Sequence, residues 1–147
     1  MFEIRHVQPQ DIFSVISLAF ETLPERYNPT IFNQFYESSP EGFFIAEQHH
    51  IIIGYLIGIK PVQGSARILM LSVKPHYQRH GVGSALLNAF LNEMKTQQIT
   101  YISLEVRTTN TTAIRFYEHH GFVIKDTLIH FYQNGENAYH MDRIISA

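Results

Sequence analysis

The 147 residues predict a mixed α/β domain of about seven strands and four helices. Three observations carry that prediction. Short β-rich runs recur at both ends of the chain, four segments space their apolar residues for a helix, and a strand, a glycine turn and a helix follow one another in the middle.

In chain order, "FEIRHV" (2–7) alternates and predicts a strand. Pro9 opens a helix with Ile12, Val15, Ile16 and Ala19 on one face. "TLPERYNP" (22–29) interrupts the pattern with two prolines, and a short helix at 30–38 carries a stripe of Phe32, Phe35 and Tyr36. "GFFIAEQ" and "IIIGYLIGIK", separated by His49-His50, predict an antiparallel hairpin. "ARILMLSV" (66–73) is nearly all apolar, which predicts a central strand buried on both faces. Leu86, Leu87, Phe90, Leu91 and Met94 then recur at helical spacing. "TYISLEV" (100–106) sets Tyr101, Ser103 and Glu105 opposite Ile102, Leu104 and Val106. "TNTTAIRFYEHHG" starts with capping residues and ends at Gly121, where a left-handed cap belongs. "FVIKDTLIHFY" and "AYHMDRII" flank "QNGEN", whose Asn134-Gly135 signals a hairpin. No repeat or linker divides the chain, so a single domain over 1–147 is expected.

Composition narrows the function. At 45% hydrophobic and 16% charged, the chain is globular rather than disordered. A net charge of −2 gives no field that would draw it to nucleic acid or anionic lipid. The chain has no cysteine, which excludes disulfides, thiolate metal sites and a cysteine nucleophile and suits a reducing compartment. "MFEIRHVQPQD" is no signal peptide, and "IIIGYLIGI" falls short of the roughly 20 residues a membrane helix needs. A cytoplasmic protein without nucleic-acid or membrane partners is the expectation.

"HYQRHGVGSALL" (76–87) places Gln78, Arg79, His80, Gly81, Val82, Gly83 and Ser84 between a strand and an amphipathic helix. That order aims free first-turn amides at an anion, and glycines let the backbone approach it. An ordinary strand-to-helix turn is the alternative. A P-loop needs a lysine after the second glycine, and Ser84-Ala85 stands there instead. A dinucleotide fingerprint would need a third glycine where Leu86 stands, and the turn follows antiparallel runs rather than a first βαβ unit.

"LSVKPHYQRHGVGSALL" resembles the acyl-CoA signature of the GCN5-related N-acetyltransferase (GNAT) superfamily, Gln/Arg-x-x-Gly-x-Gly/Ala, met by Gln78, Gly81 and Gly83. The resemblance implies acetyl-CoA as co-substrate, with the loop amides on the pyrophosphate. It also implies that Leu71 and Val73 lie beside the pantetheine arm, in a mixed sheet splayed near Val73. "LEVRTTNTTAIRFYEHHGF" (104–122) is similar to a segment of ribosomal-protein-alanine and protein N-terminal acetyltransferases, matching it at Glu105, Val106, Arg107, Asn110, Ala113, Tyr117, Gly121 and Phe122. By that likeness Glu105 is the general base, Tyr117 the acid that protonates the departing thiolate, and Asn110 lies against the cofactor. Without it, a strand glutamate is usually solvated or ion-paired and a helical tyrosine is usually core.

"LPERYN" resembles the acceptor loop of the same enzymes, which places Leu23, Pro24, Glu25 and Tyr27 on one wall of the acceptor site. "HFYQNG" resembles the hairpin opposite, which adds Phe131 and Tyr132. Two prolines shaping a plain loop is the alternative. Arg67 and Met70 stand where many bacterial relatives carry an acid and an asparagine, which leaves Glu105 with less acidic company. The adjacent pairs His49-His50 and His119-His120 have no metal-ligand spacing, so no metal is expected. The expected activity is acetyl transfer to a protein N-terminus by direct attack in a ternary complex, with room for an auxiliary subunit or a homodimer. A small-amine or lysine acetyltransferase and a non-catalytic CoA-binding module are the alternatives.

Overall fold

The computed structural model describes residues 1–24 and 27–145. Strands β1 (Glu3–His6), β2 (Phe43–Gln48), β3 (Ile51–Ile59), β4 (Ser65–Val73), β5 (Tyr101–Arg107), β6 (Val123–Leu128) and β7 (Ala138–Ile144) form one sheet. Its order is β1-β2-β3-β4-β5-β7-β6. All neighbours are antiparallel except β4 and β5. The helices are α1 (Ile12–Thr22), α2 (Thr30–Ser38), α3 (Val82–Thr96) and α4 (Thr111–His119). None of the helices is long and apolar enough to cross a membrane, among the described residues.

The sheet has a core on each face. On one, Val82, Leu86, Leu87, Phe90, Leu91 and Met94 of α3 and Tyr117 of α4 pack against Leu56, Ala66, Ile68, Ile102, Leu104 and Val106. On the other, Val15, Leu18 and Ala19 of α1 and Phe32 of α2 cover Phe43, Ile45, Tyr55, Ile57 and Met70. The predicted α3 stripe is buried throughout, and in α1 Leu18 replaces Ile16, which is only half-buried.

Local conformations follow local chemistry. His49 and His50 join β2 to β3 with φ of 51° and 65°, the positive pair of a primed two-residue hairpin turn. Helix α4 ends as its sequence predicts: Gly121 has φ 86°, its N–H donates to Glu118 O, and the Phe122 N–H donates to Tyr117 O. The last hairpin departs from expectation. Strand β6 stops at Leu128 and His130 has φ 57°, so "HFYQNG" lies in a loop over 129–137 rather than on a strand. The Asn134-Gly135 turn survives inside that loop, with the Gly135 N–H donating to Tyr132 O at 2.9 Å.

Strand β4 also differs from a strand buried on both faces. It alternates, with Arg67, Leu69, Leu71 and Val73 only half-buried. Two features cause this. A bulge against β3 pairs Ile57 with Met70 and Gly58 with Ile68, so Leu69 is an extra residue. That extra residue sends Met70 to the α1 side while Ile68 stays on the α3 side. In addition, the parallel ladder with β5 ends at Ile68 opposite Leu104, so from Leu69 onward β4 is paired only with β3.

An ion pair fastens the first edge. Arg5 grips Asp11 through two contacts of 2.7 and 3.1 Å and donates to Glu47 on β2 at 2.9 Å, while the Gln8 N–H donates to Asp11 at 2.7 Å. The Arg5 guanidinium, with the Gln8 amide, holds the buried Asp11 carboxyl below its ordinary range. A depressed carboxyl stabilises the fold above its unfolded value near 3.9, and that contribution is lost as pH falls. Asp11→Asn is expected to lower stability at neutral pH by about 1–3 kcal/mol. It should also flatten the acid-side loss below roughly pH 4, both read by urea unfolding across pH.

Candidate active site

Where β4 and β5 part, the sheet opens into a cleft of about 480 Å³. Ile68–Val73 form one flank and Leu104–Arg107 the other. Glu105 alternates with Leu104 and Val106, which belong to the α3-side core, so its carboxylate lies on the α1 side of the sheet. Tyr117 belongs to the α3-side core and lines the same cleft. The two residues therefore reach one space from opposite faces.

A second cavity of about 610 Å³ adjoins the first, sharing Leu71, Val73, Gln78, Asn110, Ala113 and Tyr117 with it. Its remaining wall includes Arg79, Gly81, Gly83 and Ser84. The glycine loop builds this wall with two left-handed residues, Arg79 at φ 67° and Gly81 at φ 84°, before α3 starts at Val82. Gln78 donates to Val73 O at 2.9 Å, tying the loop to the end of β4. No side chain caps the start of α3. A Cβ on Gly81 would enter open space, and one on Gly83 would approach the Phe116 ring at 3.4 Å. A Cβ at Gly83 would thus make ordinary contact, whereas Gly81 supplies the positive φ.

Beside the end of α1 the cleft is lined by Thr22, Leu23, Pro24 and Tyr27, with Tyr132 opposite. The Arg107 guanidinium stacks 3.9 Å from the centre of the Tyr132 ring and pairs with Glu136 at 2.7 Å. Arg107 thereby fixes the 129–137 loop over the cleft.

Three predicted positions are not brought to these cavities. Phe131 is exposed and lies edge-on to Tyr132 at 5.0 Å, because the chain has left the strand before reaching it. The Val82 side chain is core, and exposed His80 faces a separate hollow with Phe2, His76 and Tyr77. Glu25 lies outside the described residues. Asn110 lines both cavities, but its side chain also caps α4 by accepting from the Ala113 N–H at 3.2 Å.

Two residues surround Glu105: Arg67, which the sequence marked only as a cation in place of an acid, and His140, which it did not flag. Arg67 donates to Oε1 from Nε at 2.8 Å, with Nη2 at 2.7 Å from the same oxygen. His140 Nδ1 lies 3.0 Å from Oε2. His140 stands directly across from Glu105 in the β5–β7 ladder, so only knowledge of that register would have found it. Burial pushes the Tyr117 hydroxyl above the usual tyrosine range, with a smaller contribution from Tyr132.

The profile of the Acetyltransferase (GNAT) family matches residues 11–122. The chain belongs to the GNAT acetyltransferases. Its sheet and four helices are the GNAT fold, which superposes on Ard1 of Thermoplasma volcanium with a TM-score of 0.96 and 38% identity over 99% of each chain. Naa50 of Arabidopsis thaliana, solved with the bisubstrate analogue CoA-Ac-MVNAL, superposes with a TM-score of 0.84 and 28% identity over 97% of each chain. An N-alpha-acetyltransferase of Saccharolobus solfataricus is 30% identical, over 97% of this chain and 92% of its own.

Asn110→Ala should cost about 1 kcal/mol of stability by removing the α4 cap. Asn110→Asp should restore most of it, as measured by denaturant midpoints.

Proposed function

We propose that this acetyltransferase moves the acetyl group of acetyl-CoA to the α-amine of a protein or peptide N-terminus, by direct attack in a ternary complex. The observation that carries the reading is the opening through the sheet, into which Glu105 and Tyr117 reach from opposite faces. Donor and acceptor can enter from different sides and meet there without exchanging places.

The donor side fits acetyl-CoA. From Leu69 onward β4 lacks a partner on the β5 side, leaving backbone groups along Leu71 and Val73 for the amides of a pantetheine arm. The uncapped first turn of α3, at Val82, Gly83 and Ser84, offers N–H donors to a pyrophosphate, and Arg79 adds charge at the rim. The acceptor side fits an N-terminus. Leu23, Pro24, Tyr27 and Tyr132 give an extended chain apolar walls. An α-amine, with pKa about 7.7–8.0 against about 10.4 for lysine, needs only a modest base to become nucleophilic. The similarity to N-alpha-acetyltransferases and to Naa50 supports the same acceptor.

In the reaction Glu105 takes a proton from the ammonium, directly or across one water, and the freed amine attacks the thioester. Tyr117 stays protonated and donates to the departing thiolate, whose conjugate acid has a pKa near 8.5. No enzyme nucleophile is required, in keeping with a chain that has no cysteine.

The test is incubation with acetyl-CoA and a library of N-terminal peptides, with the acetyl group mapped by mass spectrometry. Acetylation confined to polyamines or to lysine side chains would overturn the acceptor. Glu105→Gln and Tyr117→Phe should each slow turnover roughly 10²–10⁴-fold. Because Tyr117 titrates above its ordinary value, the alkaline limb of wild-type kcat should not appear below about pH 10.

A further inference from the structure

The loop that brings Tyr132 to the cleft has little of its own to hold it. None of residues 129–137 is buried, and Ile129 and Phe131 are 66% and 42% exposed. A segment that buries so little apolar surface opens locally unless contacts from outside restrain it. Its internal bonds are turn bonds, such as the Tyr132 N–H to Glu136 O at 3.1 Å and the Gly135 N–H to Tyr132 O at 2.9 Å. From the sheet side, the Thr108 N–H donates to Asn137 O at 3.1 Å, which ties down the far end of the loop rather than Tyr132.

Tyr132 itself is held on two sides. The Arg107 guanidinium lies over its ring at 3.9 Å, and the Phe131 ring stands against it at 5.0 Å and 88°. A cation over the ring and a perpendicular aromatic neighbour are both favoured by the ring quadrupole. Arg107 comes from a rigid place: it ends β5, pairs with Ala138 of β7, and its side chain is 17% exposed. Its Nε donates to Glu136 Oε1 at 2.7 Å, the oxygen that also accepts from Asn134 Nδ2 at 2.6 Å. One arginine thus grips the loop at Tyr132 and again at Glu136.

We propose that Arg107 and Phe131 set the affinity for the acceptor peptide by fixing the Tyr132 ring, and take no part in acetyl transfer itself. The inference rests on Tyr132 being a wall of the acceptor site. Phe131 lies outside the cleft and supports that wall from without, while Arg107 holds the same ring from the end of β5. Both are positioning residues that act through Tyr132. With the ring in place before the peptide arrives, binding does not have to order the loop. A small amine, with no chain to lay against the ring, gains little from that order. The arrangement therefore favours an extended peptide over a free amine.

The experiment measures KM and kcat for an N-terminal peptide and for a small primary amine, together with hydrogen exchange of the 129–137 amides. Arg107→Met should raise the peptide KM roughly 3- to 10-fold, the scale of one stacked cation. Its kcat at saturating peptide should stay within about twofold of wild type, as expected when only binding is lost. Arg107→Lys keeps the charge but not the planar fork, and should recover part of the loss. Phe131→Ala changes an exposed position and so guards against a variant that fails to fold. It should raise the peptide KM in the same direction and leave the small amine unaffected. Loop amides should exchange faster in Arg107→Met and in Phe131→Ala. In a Tyr132→Ala background Arg107→Met should add no further loss. An unchanged peptide KM in Arg107→Met and Phe131→Ala would overturn the proposal. So would a fall in kcat with KM unchanged, an equal loss on both acceptors, or a full Arg107→Met loss without Tyr132. Wild type that acetylates the amine but not the peptide would overturn the acceptor instead. Unchanged loop exchange in both variants would then overturn the hold on Tyr132 as well.

Discussion

The end of the β4–β5 ladder at Ile68 and Leu104 is the constraint on which the site depends. A parallel pair that continued would close the sheet, bury Glu105 against β4 and separate the two faces. Ending the pairing after four residues leaves one flank of β4 with no strand to bond, a cost that a sheet interior ordinarily avoids. The same unpaired edge is what a polyamide-like ligand arm can use. The opening is therefore a hole and a template together.

Two cores and two cross-strand attachments hold the hole open. Phe90 and Leu86 on one face, and Phe32 and Tyr55 on the other, are fully buried and fix the β2–β3–β4 half as a block. On the far side β5 has lost β4 but pairs with β7 along its whole length, from Tyr101–Ile144 to Arg107–Ala138. Within the sheet the two halves are joined by the short parallel ladder, and Arg67 on β4 reaches across its end to Glu105. The Leu69 bulge lies just beyond that ladder, and its extra residue turns Leu71 and Val73 toward the α3 side. Removing the bulge would reverse every side chain from Met70 to Val73.

The elements were legible in the sequence because each rested on local spacing. Apolar residues from Leu86 to Met94 could pack only as a helix, and Gly121 marked the end of α4 by conformational preference alone. The strand–loop–helix order pointed to the lining at Gly81 and Gly83, and the resemblance to the acyl-CoA signature pointed to Leu71 and Gln78. What was not legible depended on register. A single inserted residue at Leu69 leaves hydrophobicity unchanged, so "ARILMLSV" could not reveal which side chains would face the cleft. His140 shows no motif beside Glu105 in sequence, and their contact exists because two strands pair in one register rather than the next. Phe131, placed by the likeness of "HFYQNG" to an aromatic hairpin, lies outside the cleft for a local reason: β6 ends at Leu128 and His130 takes a positive φ.

Arg67 shows how such a contact can change the meaning of a residue. Read alone, a cation on the central strand seemed to deprive Glu105 of acidic neighbours. In the fold it places both of its nearest nitrogens on one oxygen, Oε1. A carboxylate held at one oxygen cannot rotate to present either atom at random, so Oε2 is left as the acceptor and faces His140. The ion pair costs Glu105 some freedom and fixes which of its oxygens is left for other partners. The pairing that ends one residue earlier, at Leu104, sets that oriented carboxylate beside the open cleft.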